Sequence, residues 1–69
     1  MNYIVTTTYN NSIDSAYLFD NIDNAERKIE SLISTTYQRE LSQKELDLLE
    51  EFGEFEVFGL TFAINAVGQ

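Results

Sequence analysis

The chain has 69 residues and a formal net charge of −8, with 12 Asp and Glu residues against 4 Lys and Arg, and it contains neither His nor Cys. This charge argues against binding nucleic acid through its phosphates and against binding an anionic membrane surface. A chain of this length with 43% hydrophobic residues predicts one small folded domain over residues 1–69.

The start of the chain predicts a β-hairpin. Residues 3–9 are rich in β-branched and aromatic side chains, which favour strands, and a second alternating stretch runs from Ile13 to about Phe19. The Asn-Asn-Ser segment at residues 10–12 tolerates the positive φ angles of a tight turn. Strict alternation in the second strand predicts Ile13 and Phe19 on one face and Leu18 on the other.

A helix of about four turns is predicted next, ending near Glu40. Its apolar face comprises Ile22, Ala25, Ile29, Leu32, Ile33 and Thr36. Asp23 with Glu26 has the spacing of a capping box, and Asn21 is the alternative N-cap. The like charges of Glu26 and Glu30 are expected to be softened by the two basic residues beside them.

The strongest local signal in the chain opens a second, shorter helix. Ser42 and Glu45 have the spacing of a capping box, in which each side chain accepts a hydrogen bond from the other residue's backbone amide. Leu41 and Leu46 are placed to close a hydrophobic staple around it. Gly53 is well placed as the left-handed residue that ends the helix. The residues expected to be buried are Leu46, Leu49 and Phe52.

The rest of the chain predicts strands. Residues 54–57 alternate acidic and apolar side chains, and the alternation changes phase at Phe58-Gly59, which marks a tight turn or a bulge. We favour the turn, which gives a last strand over residues 60–67. The predicted fold class is α+β in the order ββααββ: a small antiparallel sheet of three to four strands with two helices packed on one face.

No arrangement of residues predicts catalysis. Without His and Cys, the usual nucleophilic triads are impossible, and a zinc site would need carboxylates alone. Neighbouring carboxylates such as Glu50 and Glu51 diverge by about 100° around a helix, so they do not converge on one substrate. We therefore expect a non-enzymatic protein with no catalytic residues, no cofactor and no metal site.

The acidic run after Lys44 is the feature that indicates a function. From that point the chain contains no Lys or Arg, and its carboxylates lie on a well-signalled helix and strand. Carboxylates on a rigid scaffold imitate the phosphates of a duplex, so they fit the basic nucleic-acid channel of another protein through salt-sensitive contacts. The candidate partner-binding residues are Glu45, Asp47, Glu50, Glu51, Glu54 and Glu56, with Asp20 and Asp23.

In size, acidic charge, lack of Cys and His, and α+β order, the chain resembles the small acidic inhibitors of bacteriophages and mobile elements, of which anti-CRISPR proteins are the clearest members. The residues on which the likeness rests are the run from Glu45 to Glu56 and the set Asp14, Asp20 and Asp23. The resemblance implies an inhibitor in the cytoplasm of a bacterial host cell that binds a CRISPR effector complex and blocks DNA entry or nuclease recruitment. The hairpin leading into DNIDNAERKI is similar to small phage inhibitors of host RNA polymerase.

A structural or assembly module is the alternative from a different class. The uncharged residues 60–67 would leave an apolar strand that, at a sheet edge, pairs with a second copy to form a homodimer. The acidic charge would then only keep the protein soluble. A tight dimer that is lost on mutation of Phe62 or Ile64 would favour this alternative.

Overall fold

The computed structural model describes residues 1–68 and has the ββααββ order predicted from the sequence. The elements in chain order are β1 (Asn2–Tyr9), β2 (Ser12–Phe19), α1 (Ile22–Tyr37), α2 (Gln43–Phe52), β3 (Glu54–Val57) and β4 (Leu60–Val67). The strands form one 4-stranded antiparallel sheet in the order β2-β1-β4-β3. The predicted α+β class, with helices packed on one face of the sheet, is therefore confirmed.

Both hairpins close through two-residue turns with positive φ angles. Asn10 and Asn11 join β1 to β2 at φ 53° and 65°, and Phe58 and Gly59 join β3 to β4 at φ 50° and 85°. Positive φ at both positions matches the right-handed twist of the flanking strands, which is why Asn and Gly are favoured there. The phase change at Phe58-Gly59 is thus a turn, as predicted. Since β1 and β4 pair along their length, both turns lie at the same end of the sheet.

A β-bulge in the first hairpin changes the face that Ile13 occupies. The register shifts between Thr7 and Thr8, and Asp14 becomes the extra residue of β2. Thr7 is buried under the helices, so Thr8 and its partner Ile13 lie on the opposite face, where Ile13 is 67% exposed. The prediction that Ile13 shares a face with Phe19 is therefore wrong, because the extra residue reverses the alternation.

The two helices begin at different kinds of cap. The Asn21 side chain accepts a hydrogen bond from the Asn24 backbone N–H at 2.8 Å, so Asn21 is the N-cap of α1. At α2, Ser42 Oγ accepts from the Glu45 N–H at 3.2 Å, and Glu45 Oε1 accepts from the Ser42 N–H at 3.1 Å. The predicted capping box is confirmed, and it fixes where α2 starts.

The helices also end at left-handed residues. Helix α1 ends at Tyr37, earlier than predicted, because Gln38 adopts a left-handed conformation with φ 56°. Gly53, with φ 78°, ends helix α2 as predicted. Leu49 of α2 is only 4% exposed, but Phe52 is 66% exposed. The prediction that Phe52 is buried is wrong, because α2 stops at this residue and the chain turns at Gly53 into β3.

The core lies between the sheet and the two helices. Its largest fully buried side chains are Phe62, Ile29, Ile33 and Val5. The rings of Phe55 and Phe62 stack with centroids 5.4 Å apart. The Tyr37 hydroxyl donates a hydrogen bond to the Val57 carbonyl at 3.0 Å, which holds the end of α1 over β3.

None of the helices within residues 1–68 has the length and apolar character needed to cross a membrane.

The last strand, β4, lies inside the sheet. It pairs with β1 on one side and with β3 on the other, so β2 and β3 are the edges among the described strands. The alternative in which residues 60–67 form a sheet edge along their whole length is therefore wrong. Phe62 is fully buried, and over residues 60–63 β4 is paired on both sides. Beyond Ile64 the strand pairs with β1 alone, so a second copy could pair only with this short end of β4.

Candidate functional site

The fold divides the predicted acidic run among separate places. The run comprises Glu45 near the start of α2, Asp47, Glu50 and Glu51 further along α2, and Glu54 and Glu56 on β3. The residues that alternate with Glu54 and Glu56 are buried under the helices, so these two carboxylates project from the opposite face of the sheet. A run that is continuous in the sequence is therefore not one surface in the fold.

Glu45 is already paired within the protein. Its carboxylate forms a bidentate contact with the Arg39 guanidinium at 2.9 and 2.7 Å, and its side chain is 15% exposed. The hydrogen bond from Arg39 is the largest reason why the pKa of Glu45 is lowered from 4.5 to about 2. Glu45 also belongs to the capping box. Both sets of contacts stabilise the start of α2, so a structural role is sufficient to explain this residue.

Glu50 and Glu51 are in the opposite situation, in the last turn of α2. That turn contains no basic residue. The C-terminal end of a helix has a partial negative charge, so a carboxylate there destabilises the helix. The exposed ring of Phe52 follows them directly. The stability of α2 therefore does not account for these residues.

Glu50 faces a carboxylate of α1 across a cleft. The cleft has a volume of about 240 Å³ and lies between the start of α1, the end of α2 and β4. Glu26 and Glu50 both line it, and its apolar walls include Ile22, Leu49 and Ile64. We call this site the carboxylate cleft. Its acidic residues are Glu26 and Glu50, and Asp23 and Glu30 lie about one turn before and after Glu26 on α1.

The electrostatics of Glu26 show that these four carboxylates interact. The pKa of Glu26 is raised above 4.5, first by partial burial and then by the negative charges of Glu50, Asp23 and Glu30. Burial and like charge both favour the protonated form of a carboxyl group. No basic residue is among the causes of this shift. A cation placed in the cleft would therefore reduce an existing repulsion.

The basic residues of α1 are directed elsewhere. Lys28 Nζ lies 4.2 Å from the centroid of the Tyr17 ring on β2, which is a cation–π contact. Arg27 lines a separate, larger groove together with Glu30 and Glu40. The expected softening of the glutamate charges by Arg27 and Lys28 is not seen at Glu26. The second groove has both signs of charge at its rim, whereas the carboxylate cleft has acidic groups only.

The remaining predicted residues are dispersed. Asp23 is exposed on α1 and contributes to the raised pKa of Glu26, after partial burial and the charge of Glu50. Asp20 is exposed and accepts a hydrogen bond from the Asn21 side chain at 3.1 Å. Asp47 is exposed on α2 and accepts one from the Gln43 side chain at 2.9 Å. Of the eight predicted site residues, Glu50 is the one that lines the cleft.

Sequence reasoning missed Glu26 as a site residue. The signal was present in the spacing of Asp23, Glu26 and Glu30, since steps of three and four residues place all three on one side of a helix. What the sequence does not contain is the packing that brings Glu50 of α2 opposite Glu26.

The carboxylate cleft is suited to a long cationic side chain. The aliphatic part of a Lys or Arg residue can lie against the apolar walls while its charged end reaches Glu26 and Glu50. Within residues 1–68, no group of three or more potential ligand side chains is arranged to hold a metal ion. The apolar walls and the two carboxylates of the cleft match the chemistry of a Lys or Arg side chain.

Comparison of the chain with protein-family models, with curated proteins and with solved structures gives no match in any of the three.

Proposed function

We propose that this protein is a non-enzymatic inhibitor that binds the basic nucleic-acid-binding site of a bacterial protein complex. The single observation that supports this most is the convergence of Glu26 and Glu50 from two helices on one cleft that lacks a basic counter-charge. A surface rich in Lys and Arg is the natural complement, and such surfaces line the channels that bind nucleic acid. A CRISPR effector complex is the first candidate partner, given the resemblance to anti-CRISPR proteins.

The proposed mechanism is mimicry of DNA charge. The acidic residues of the cleft belong to helices that share one packed core, so their geometry is set before the partner arrives and little ordering is lost on binding. Arg side chains of the partner pair with Glu26 and Glu50, and the exposed ring of Phe52 offers a face for a guanidinium group. Occupation of the channel then excludes DNA.

A phage-type inhibitor of host RNA polymerase is the second candidate, because the same acidic cleft suits any basic nucleic-acid channel. The homodimeric assembly module is less favoured, since β4 is paired on both sides over residues 60–63 and has a free side only beyond Ile64. The two inhibitor candidates differ only in the partner, so one experimental design separates them.

The test uses two double variants with the same change of charge. Glu26→Gln with Glu50→Gln removes charge from the cleft, and Glu54→Gln with Glu56→Gln removes it from the opposite face of the sheet. DNA binding by purified CRISPR effector complexes, and promoter binding by RNA polymerase, is measured by fluorescence anisotropy as each protein is added. We expect the cleft variant to inhibit at least about tenfold more weakly than the wild type, and inhibition to weaken with salt.

The control variant should inhibit within about twofold of the wild type, because its lost charges lie away from the proposed contact. Equal loss of inhibition in both double variants would mean that net charge alone matters and would overturn the role of the cleft. Absence of inhibition by the wild-type protein in both systems would overturn the inhibitor function for these partners.

A further inference from the structure

The face of the sheet turned away from α1 and α2 is a second surface with its own composition, which we call the open sheet face. The cross-strand register aligns its residues in three rows from β2 towards β3: Leu18–Ile4–Asn65, Ala16–Thr6–Ala63–Glu54 and Ile13–Thr8–Thr61–Glu56. The helices pack on the other side, so no element within residues 1–68 covers these rows.

The open sheet face changes in character from one edge to the other. Along β2, Leu18 and Ile13 are 63% and 67% exposed, and the β-bulge is what turns Ile13 to this side. The middle of the face consists mainly of the short side chains of Thr and Ala. Along β3, Glu54 and Glu56 are exposed, and none of the basic residues of the chain lies on a strand.

We propose that the open sheet face binds one amphipathic helix of a partner protein. The helix would place an apolar stripe over Leu18 and Ile13 and two Lys or Arg residues, one turn apart, against Glu54 and Glu56. Adjacent strands are about 4.8 Å apart, so β2 and β3 are about 14 Å apart, a width that accommodates a helix about 10–12 Å in diameter.

The spacing of the two glutamates matches that of a helical basic pair. Glu54 and Glu56 are two residues apart on one side of a strand, which separates them by about 7 Å. Basic residues four positions apart on a helix are separated along its axis by about 6 Å and lie on the same side. Each cation can therefore meet one carboxylate.

Charge complementarity selects this occupant over the others. A second copy of the chain would bring another Glu54 and Glu56 and no basic group to the contact, so the like charges would repel. Nucleic acid is repelled by the same carboxylates. A basic amphipathic helix supplies both the apolar stripe and the opposite charge. This surface is independent of the carboxylate cleft, which lies on the helix side of the sheet.

The test uses a synthetic helical peptide of about 14 residues, four turns, with Leu along one face and two Lys residues one turn apart on one flank. A control peptide has Glu in place of both Lys residues. Binding of the labelled peptides to the full chain is measured by fluorescence anisotropy, and backbone amide shifts are followed by NMR. The protein variants are Ile13→Thr with Leu18→Thr, Glu54→Gln with Glu56→Gln, and the charge-matched α2 control Asp47→Asn with Glu51→Gln.

We expect the Lys peptide to bind and to shift amides of β1, β2 and β3, with each open-face variant weakening its binding about tenfold and the α2 control less than about twofold. All substitutions are at exposed positions, and far-UV circular dichroism checks that each variant is folded. Equal weakening by the α2 control, equal binding of the Glu peptide, or no binding to the wild type would overturn the proposal. A dimer in light scattering that the Thr variant dissociates would also overturn it, in favour of a second copy.

Discussion

The two ends of α2 are built in opposite ways. At the N-terminal end, Ser42, Glu45 and Arg39 satisfy one another through the capping box and a bidentate ion pair. At the C-terminal end, Glu50 and Glu51 lie at the negative end of the helix dipole. Across the cleft, partial burial and then the negative charge of Glu50 raise the pKa of Glu26.

This difference distinguishes acidic residues that stabilise the fold from acidic residues that make it less stable. Acidic side chains are favourable at the start of a helix and unfavourable at its end, so the same residue type has opposite effects about one and a half turns apart. The contacts of Glu45 account for its presence. Those of Glu50 do not, and binding to a basic partner is the property that would account for them.

The largest expected effect is at the N-terminal end. Glu45→Ala removes half of the capping box and the ion pair with Arg39, so the free energy of unfolding should fall by about 1–2 kcal/mol. For a domain of this size the thermal midpoint should fall by about 4–8 °C per kcal/mol. Glu45→Gln is the matched control, because Gln still accepts the bond from the Ser42 N–H, and its loss should be smaller. If Glu45→Ala has the same free energy of unfolding as the wild type, this account of the N-terminal end is contradicted.

The effect of Glu45 should also depend on pH. Its pKa is about 2 in the folded protein and near 4.5 otherwise, so the unfolded chain binds the proton more readily. The stabilisation by the charged carboxylate is therefore present above about pH 4.5 and is lost as the pH falls towards 2. Urea unfolding should show the wild type and Glu45→Gln converging over that range.

The features that were predictable from the sequence are those that depend on neighbouring residues. The capping box, the stop at Gly53 and the turn at Phe58-Gly59 each follow from a few adjacent side chains. The bulge at Asp14 was not predictable, because it depends on how β2 registers against β1. The interior position of β4 likewise depends on the order of the strands in the sheet, and nothing in its own residues specifies that order.

The two hairpin turns show the same contrast as the two ends of α2, and this leads to the second prediction. Asn10 and Asn11 suit their positive φ angles, but Phe58 does not, and its side chain is 89% exposed. Phe58→Asn should therefore raise the free energy of unfolding by about 0.5–1 kcal/mol. Chemical denaturation measures the change.

Phe58→Ala is the control for this substitution. It also removes the contact with the Tyr37 ring, whose centroid is 6.0 Å from that of Phe58, but Ala has no preference for positive φ. The Asn variant should therefore be more stable than the Ala variant. If Phe58→Asn is less stable than the wild type, the contact with Tyr37 outweighs the strain of the turn.

The candidate site was only partly predictable, for a related physical reason. The carboxylates of α2 and their exposure follow from helical spacing, so Glu50 was identified. Glu26 becomes part of the site only because the start of α1 and the end of α2 line the same cleft. Glu54 and Glu56 were assigned to the same surface because the sequence does not reveal that β3 is an edge strand whose outer face points away from both helices.

The smallest expected effect is at the C-terminal end of α2. It tests most directly whether the two ends of this helix differ as described. Glu50→Gln should raise the free energy of unfolding at neutral pH by about 0.3 kcal/mol, because it removes one negative charge from the helix end and from the cleft. Glu51→Gln removes an equal charge from the helix end, but the Glu51 side chain does not line the cleft. The difference between the two variants therefore isolates the repulsion at Glu26.

NMR titration of the carboxyl groups provides the decisive readout for this pair. The pKa of Glu26 should fall towards 4.5 in Glu50→Gln and change less in Glu51→Gln. Because the folded pKa of Glu26 is raised, folding is favoured by its protonation, so the stability cost is present at neutral pH and disappears as the pH falls to 4.5. The advantage of Glu50→Gln should shrink over the same range. Equal shifts of the Glu26 pKa in both variants would mean that the two ends of α2 differ only through the helix dipole, and the carboxylate cleft would lose its separate role.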